Sequence, residues 1–154
     1  MNRAVLLLLP ALAACGSLSG GGADTGAATP NAAIQEFLAA ARAKNLAIMA
    51  SVWGTEKGPA SKSMNKTELE RRELIMIQCL AHDQATLGAP APAEAGRLRI
   101  PVELTLVTLK ANPTFTVVRG PADRWYVWDL DMDHLRDRGF CGATTTPPGA
   151  GLTR

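Results

Sequence analysis

The apolar residues of this 154-residue chain change their spacing once, near His82, and that change restricts the fold more than any other feature. Ahead of it the spacing is helical. Thr29 offers an N-cap and Pro30 suits a first helical position, and Ile34, Phe37, Leu38 and Ala41 then fall on one face. Leu46 to Trp53 reads as a second, short helix ended by Gly54, and Thr55–Ser63, with Gly58-Pro59, as a loop. A third helix opens at Asn65, with Glu68 three residues on in a capping-box-like arrangement, and runs to about Leu80.

Behind His82 the spacing is that of strands. Gln84–Leu87 is a short strand and Gly88–Ala95 a loop. Arg97–Lys110 alternates, with Leu98, Ile100, Val102, Leu104 and Leu106 on one side and Arg99 and Glu103 on the other. Asn112-Pro113 and Gly120-Pro121-Ala122-Asp123 turn the chain into two more strands, Thr114–Arg119 and Arg124–Leu130. Pro101 inside the first of the three implies an edge position or a bulge. A helical turn over Asp133–Arg138 follows. Helices first and antiparallel strands after them is an α+β order, with N-terminal helices packed on a curved antiparallel sheet.

The first residues carry an address. A basic start, Met1-Asn2-Arg3, leads into an apolar run from Ala4 to Leu12, too short to span a bilayer. It ends in Leu12-Ala13-Ala14-Cys15, which resembles the lipobox of bacterial lipoproteins. The resemblance implies cleavage before Cys15, a diacylglycerol on its thiol and an acylated amine, palmitate being the usual label. The plain alternative is an ordinary secretory leader with an unrelated Cys. Gly16, rather than Asp, follows the Cys, which in Gram-negative lipoproteins is compatible with the periplasmic face of the outer membrane. The expected organisation is a signal peptide over 1–14, lipidated Cys15 and a Gly/Ser/Ala tether over 15–29, an α+β domain over 30–142, and a disordered tail over 143–154. Loss of Arg3 with the leader takes the formal charge from +2 to about +1, so nucleic acid is not an expected partner. The membrane is one, through the lipid.

With Cys15 given to lipid, Cys79 and Cys141 remain, and outside the cytosol they have one intramolecular pairing open to them. The competing reading leaves both unpaired, Cys79 as a small buried hydrophobe and Cys141 loose near the tail.

Several stretches of the domain resemble the nuclear transport factor 2-like superfamily, with its SnoaL-like cyclases and ketosteroid isomerases. They are Ala33-Ile34-Gln35-Glu36-Phe37-Leu38-Ala39-Ala40-Ala41, Lys44-Asn45-Leu46, Val52-Trp53-Gly54 and Arg124-Trp125-Tyr126-Val127-Trp128-Asp129-Leu130. The resemblance implies a cone-like sheet closed by helices. One departure is that little room is left for the early strands that usually separate the helices in that fold.

Enzymes of that superfamily place an acidic base, or an Asp–His pair, inside the cone. The candidates here are Asp83, His82 and Asp129, with His134 beyond them, and a general base would need an apolar pocket around it. Their ordinary reading is solvated or capping residues. Asp129, Asp131 and Asp133 alternate as cation ligands could, but His134 and Phe140 stand where a calcium loop needs Gly and a carboxylate, so no metal is expected. Trp53, Phe115, Trp125 and Trp128 either line a ligand pocket or fill the core, the core being the commoner use. Lys57, Lys62, Lys66, Arg71 and Arg72 make a basic region that is either a solvated face or a surface for anionic lipid headgroups. No cofactor motif is present. The expected function is a membrane-anchored envelope lipoprotein with a small non-enzymatic domain binding a protein or a small apolar ligand. The alternative is an isomerase- or cyclase-like enzyme acting in a cone-shaped pocket.

Overall fold

The structure, a computed structural model, describes residues 25–142. The leader, the Leu12–Cys15 motif, most of the tether and the 143–154 tail lie outside the described residues.

Three of the helices begin at side-chain caps, two of which, Thr29 and Asn65, the sequence predicts. Helix α1, Pro30–Arg42, starts with the Thr29 hydroxyl accepting the Ala32 N–H at 3.1 Å. Asn45 does the same for Ile48 at the head of α2, Leu46–Val52. Asn65 accepts from the Glu68 N–H at 2.9 Å to open α4, Lys66–Cys79. The return half of that capping box is not made, because the Glu68 carboxylate turns to Arg71 and Arg72, each at 2.6 Å. These two charge-assisted bonds hold its pKa below the usual carboxylate range, the Arg72 bond contributing most.

The segment expected as a loop between α2 and α4 contains structure. Strands β1, Gly54–Thr55, and β2, Gly58–Pro59, form a minimal hairpin, and a single helical turn, α3, covers Ala60–Ser63. Two-residue strands carry no alternation, so the sequence period does not reveal them.

The main sheet holds β3, Gln84–Leu87; β4, Ala91–Pro92; β5, Leu98–Leu106; β6, Leu109–Ala111; β7, Thr114–Arg119; and β8, Trp125–Leu130. All its named pairings are antiparallel, in the order β3-β5-β7-β8, with β4 and β6 also pairing β5. The expected single strand Arg97–Lys110 is therefore two, folded back at Val107-Thr108. Neither residue is a usual turn former, and Val107 sits at φ +55°, a conformation that a β-branched residue adopts only under strain. The Asp83 carboxylate accepts its N–H at 2.7 Å and holds the turn.

Pro101 is not on an edge. Strand β5 is central, and Pro101 faces the break between β3, which ends opposite Val102, and β4, which begins opposite Arg99. Its carbonyl accepts from Gly88 across that break, and its missing N–H leaves no ladder bond unmade.

The alternation along β5 is kept: Ile100, Val102, Leu104 and Leu106 are buried, while Arg99 and Glu103 are exposed. Helix α1 covers this inner side, lying over β7 and β8, with the Phe37 ring edge-on to Phe115 at 6.4 Å. The short helix α5, Met132–Asp137, is capped by Asp131 and brings Leu135 into the core, and Phe140 follows it there. A disulfide joins Cys79, at the end of α4, to Cys141. Beside it the Gly142 N–H donates to the Gln78 carbonyl at 2.9 Å.

Residues 25–29 were expected in the tether, yet Thr25, Gly26 and Ala27 pack on the domain. Ala27 is fully buried and exchanges two 2.8 Å hydrogen bonds with Trp125. Arg124 donates to the Gly26 carbonyl at 2.7 Å, and the Tyr126 hydroxyl lies 3.1 Å from that of Thr25. Gly26 has φ +71°, and a Cβ there would lie 2.7 Å from the Tyr126 ring, so only glycine fits. Together with a parallel bridge from Trp53 to Val127, this covers the outer edge of β8 and removes it as a template for aggregation.

Candidate functional site

The space between α1 and the sheet, where a cone-shaped pocket would lie, is filled with side chains. Ile34, Phe37, Ile100, Phe115, Leu135 and Phe140 meet there with no solvent exposure. Phe115 is thus core rather than pocket lining. Trp125 is also nearly buried, beneath the bridge to Ala27, with the Arg119 guanidinium 5.1 Å from its ring centre.

The acid and base candidates each have another task. His82 is buried, and its Nδ1 donates to the Leu80 carbonyl at 2.7 Å. Burial pushes its pKa below the usual histidine value, against the opposing pull of that hydrogen bond. Asp83 holds the Val107 turn, and its own carbonyl accepts from Arg42. Asp129 is exposed at the far end of β8. His134 Nε2 accepts the Asn112 N–H at 3.1 Å, Asp131 caps α5, and Asp133 pairs with Arg136. Among the described residues, no three His, Cys, Asp or Glu side chains gather as a metal site would require. The basic region is partly neutralised, through Glu68 as above and through Lys66 with Glu70 at 3.7 Å.

Trp128 and Trp53 do reach surface clefts. Val117 pairs with Val127 and Thr116 with Asp129, so Trp128 is an extra residue in β8. A bulge of this kind re-aims a side chain, and Trp128 turns onto the outer face of the sheet, where Arg97 lies 3.8 Å over its ring. Beside them runs an open groove of about 740 Å³ walled by Arg99, Thr114, Thr116 and Asp129. The Arg97 Nε is buried there without a partner. Behind Trp128, with Trp53, Gly54 and Arg72, lies a smaller cleft of about 340 Å³.

A further cleft, which the sequence reading did not find, opens between α2, α3 and α4. Leu46, Ala47, Ala50, Met64 and Leu69 form its apolar walls, Ser61, Lys66 and Glu70 add polar groups, and Glu73 lines it from α4. Glu73 is 1% exposed and its Oε1 has no hydrogen-bond partner. Burial, with a smaller push from the neighbouring Glu70 charge, raises its pKa to about 7. A buried, unpaired carboxyl in an apolar cleft is costly to keep unless it is used. The sequence held one signal for it, since Glu73 stands four residues after Leu69 and three before Met76, on the helix's apolar stripe.

Compared with known proteins, the chain matches no family model, no curated protein and no solved structure.

Proposed function

We propose that this chain is a lipid-anchored lipoprotein of the bacterial envelope, facing the periplasm, whose domain binds an envelope protein or a small apolar ligand at its surface. The filled interior is the observation that carries the binding half of this reading. An isomerase or cyclase of the cone type needs an enclosed chamber with a base aimed into it. Here that volume is occupied by Phe37, Phe115 and Phe140, and Asp83 and His82 are tied into turns. The motif Leu12-Ala13-Ala14-Cys15 carries the anchoring half. Support for a nuclear transport factor 2-like relationship comes from the β1–β2 hairpin, because it separates the helices where early strands belong in that fold. No helix among the described residues is long and apolar enough to cross a membrane.

Radioactive palmitate should label the full-length protein expressed in a bacterium, and Cys15→Ser should abolish both the label and the removal of the leader. Continued labelling of Cys15→Ser would exclude the anchor. Crosslinking in intact membranes, followed by identification of what is joined to the domain, reads the binding half separately.

A further inference from the structure

We propose that the cleft between α2, α3 and α4 is a binding site for a small organic cation, an apolar chain ending in a primary ammonium group, with Glu73 as its counter-charge and Glu70 at its rim. The proposal deepens the binding reading above by naming the site and the ligand chemistry. Its walls, Leu46, Ala50, Met64 and Leu69, suit a hydrocarbon chain. Its polar end is specific: Glu73 is almost wholly buried and offers one carboxylate oxygen that no protein donor satisfies. An ammonium head supplies that donor and the missing positive charge together.

Charge complementarity favours a cation over a neutral hydroxyl or an anion. The charged groups lining the cleft with Glu73 are Lys66 and Glu70, both on α4. They pair at 3.7 Å, but Lys66 is largely exposed and the Glu70 charge still acts on Glu73. Helix α2 contributes only Leu46, Ala47 and Ala50, and the α3 segment only Ser61 and Met64. Glu73 is therefore the uncompensated group. Without a ligand it avoids the cost of a buried charge by holding a proton near neutral pH. A bound ammonium group favours the ionised form, so occupation releases that proton. Affinity then falls about tenfold per pH unit below the Glu73 pKa and levels off above it.

Dicyclohexylcarbodiimide provides the test, because it reacts with protonated carboxyl groups in apolar surroundings. Full-length protein in lipid nanodiscs is treated at pH 6, 7 and 8, and modification is located by mass spectrometry. Glu73 is expected to be modified most at pH 6. Hexylammonium should protect it at pH 7, while hexanol at the same concentration leaves it reactive. Glu70→Gln, on the exposed rim, should weaken the protection and move the pH profile of modification downward. Equal protection by hexanol would overturn the proposal in favour of an indifferent apolar cleft, and absence of protection by hexylammonium would overturn it outright. Neither result touches the palmitate or membrane-crosslinking readouts, so failure of the site and failure of the wider binding reading are separable.

Discussion

Two buried ionisable residues give stability opposite dependences on pH, and the sign of each follows from its shift. The Glu73 pKa rises from 4.5 to about 7 on folding, so the native state holds this proton more tightly than the unfolded chain does. Its stabilising contribution is complete below about pH 4.5 and is lost as pH rises through about 7. His82 is shifted downward, so its contribution is present above its unfolded pKa and is lost as pH falls through the lower folded value. Glu73→Gln removes only the first effect. Between pH 5 and pH 8 the wild-type protein should lose about 2 kcal/mol that the variant keeps. Urea melts at the two pH values check this, and parallel behaviour of the two proteins would show that Glu73 is ionised when folded. Val107 is a residue whose backbone conformation conflicts with its type. Val107→Gly relieves a left-handed backbone at an exposed position and should gain about 1 kcal/mol, while Asp83→Ala, which removes the acceptor of the turn, should lose about as much. Chemical denaturation of both variants would show the opposite signs, and a loss of stability in both would refute the strain at Val107.

Elements were legible where their ends and faces carry chemistry. Thr29 and Asn65 announce two helices because each has an oxygen suited to accept one of the N–H groups left open at a helix start, whereas Asn45, which does the same for α2, was not read as a cap. The inner face of β5 was legible because alternation over Leu98–Leu106 allows one register. Leu104→Ala should therefore cost about 2–5 kcal/mol and Glu103→Ala less than about 0.5, and similar losses would mean that the faces are assigned wrongly. The β5–β6 turn was hidden because Val107 and Thr108 are strand-forming residues pressed into a turn. Strands β1 and β2 are too short to have a period, and the packing of Ala27 on β8 depends on a partner about a hundred residues away. The candidate site was less legible than the fold. Asp83 and His82 drew attention as a pair, but their roles are set by Val107 and Leu80. Glu73 reads in the sequence as one more charge in Glu70-Arg71-Arg72-Glu73, and only the packing of α4 beside α2 and α3 removes it from water.

For the molecule as a whole, the Cys79–Cys141 link matters most, because it ties the last described segment to the end of the helical layer across 62 positions of sequence. Chain-entropy reasoning puts such a loop at about 4 kcal/mol, a large share of the stability of one small domain. Reduction, or Cys79→Ser with Cys141→Ser, should lower the urea midpoint accordingly, and an unchanged midpoint would mean that Phe140 and Leu135 hold the C-terminal segment by themselves.

The bonding of Ala27 to Trp125 also fixes a leash length. If lipid is attached at Cys15, Thr25, where contacts to Tyr126 begin, lies ten residues further on. A fully stretched peptide covers about 3.5 Å per residue, so the attachment point on the domain stays within about 35 Å of the bilayer. A free chain running to residue 30 would reach about 50 Å on the same arithmetic. On that condition the shorter leash would keep the β8 side of the domain close to the membrane and restrict what it can meet to molecules in or just above the lipid surface.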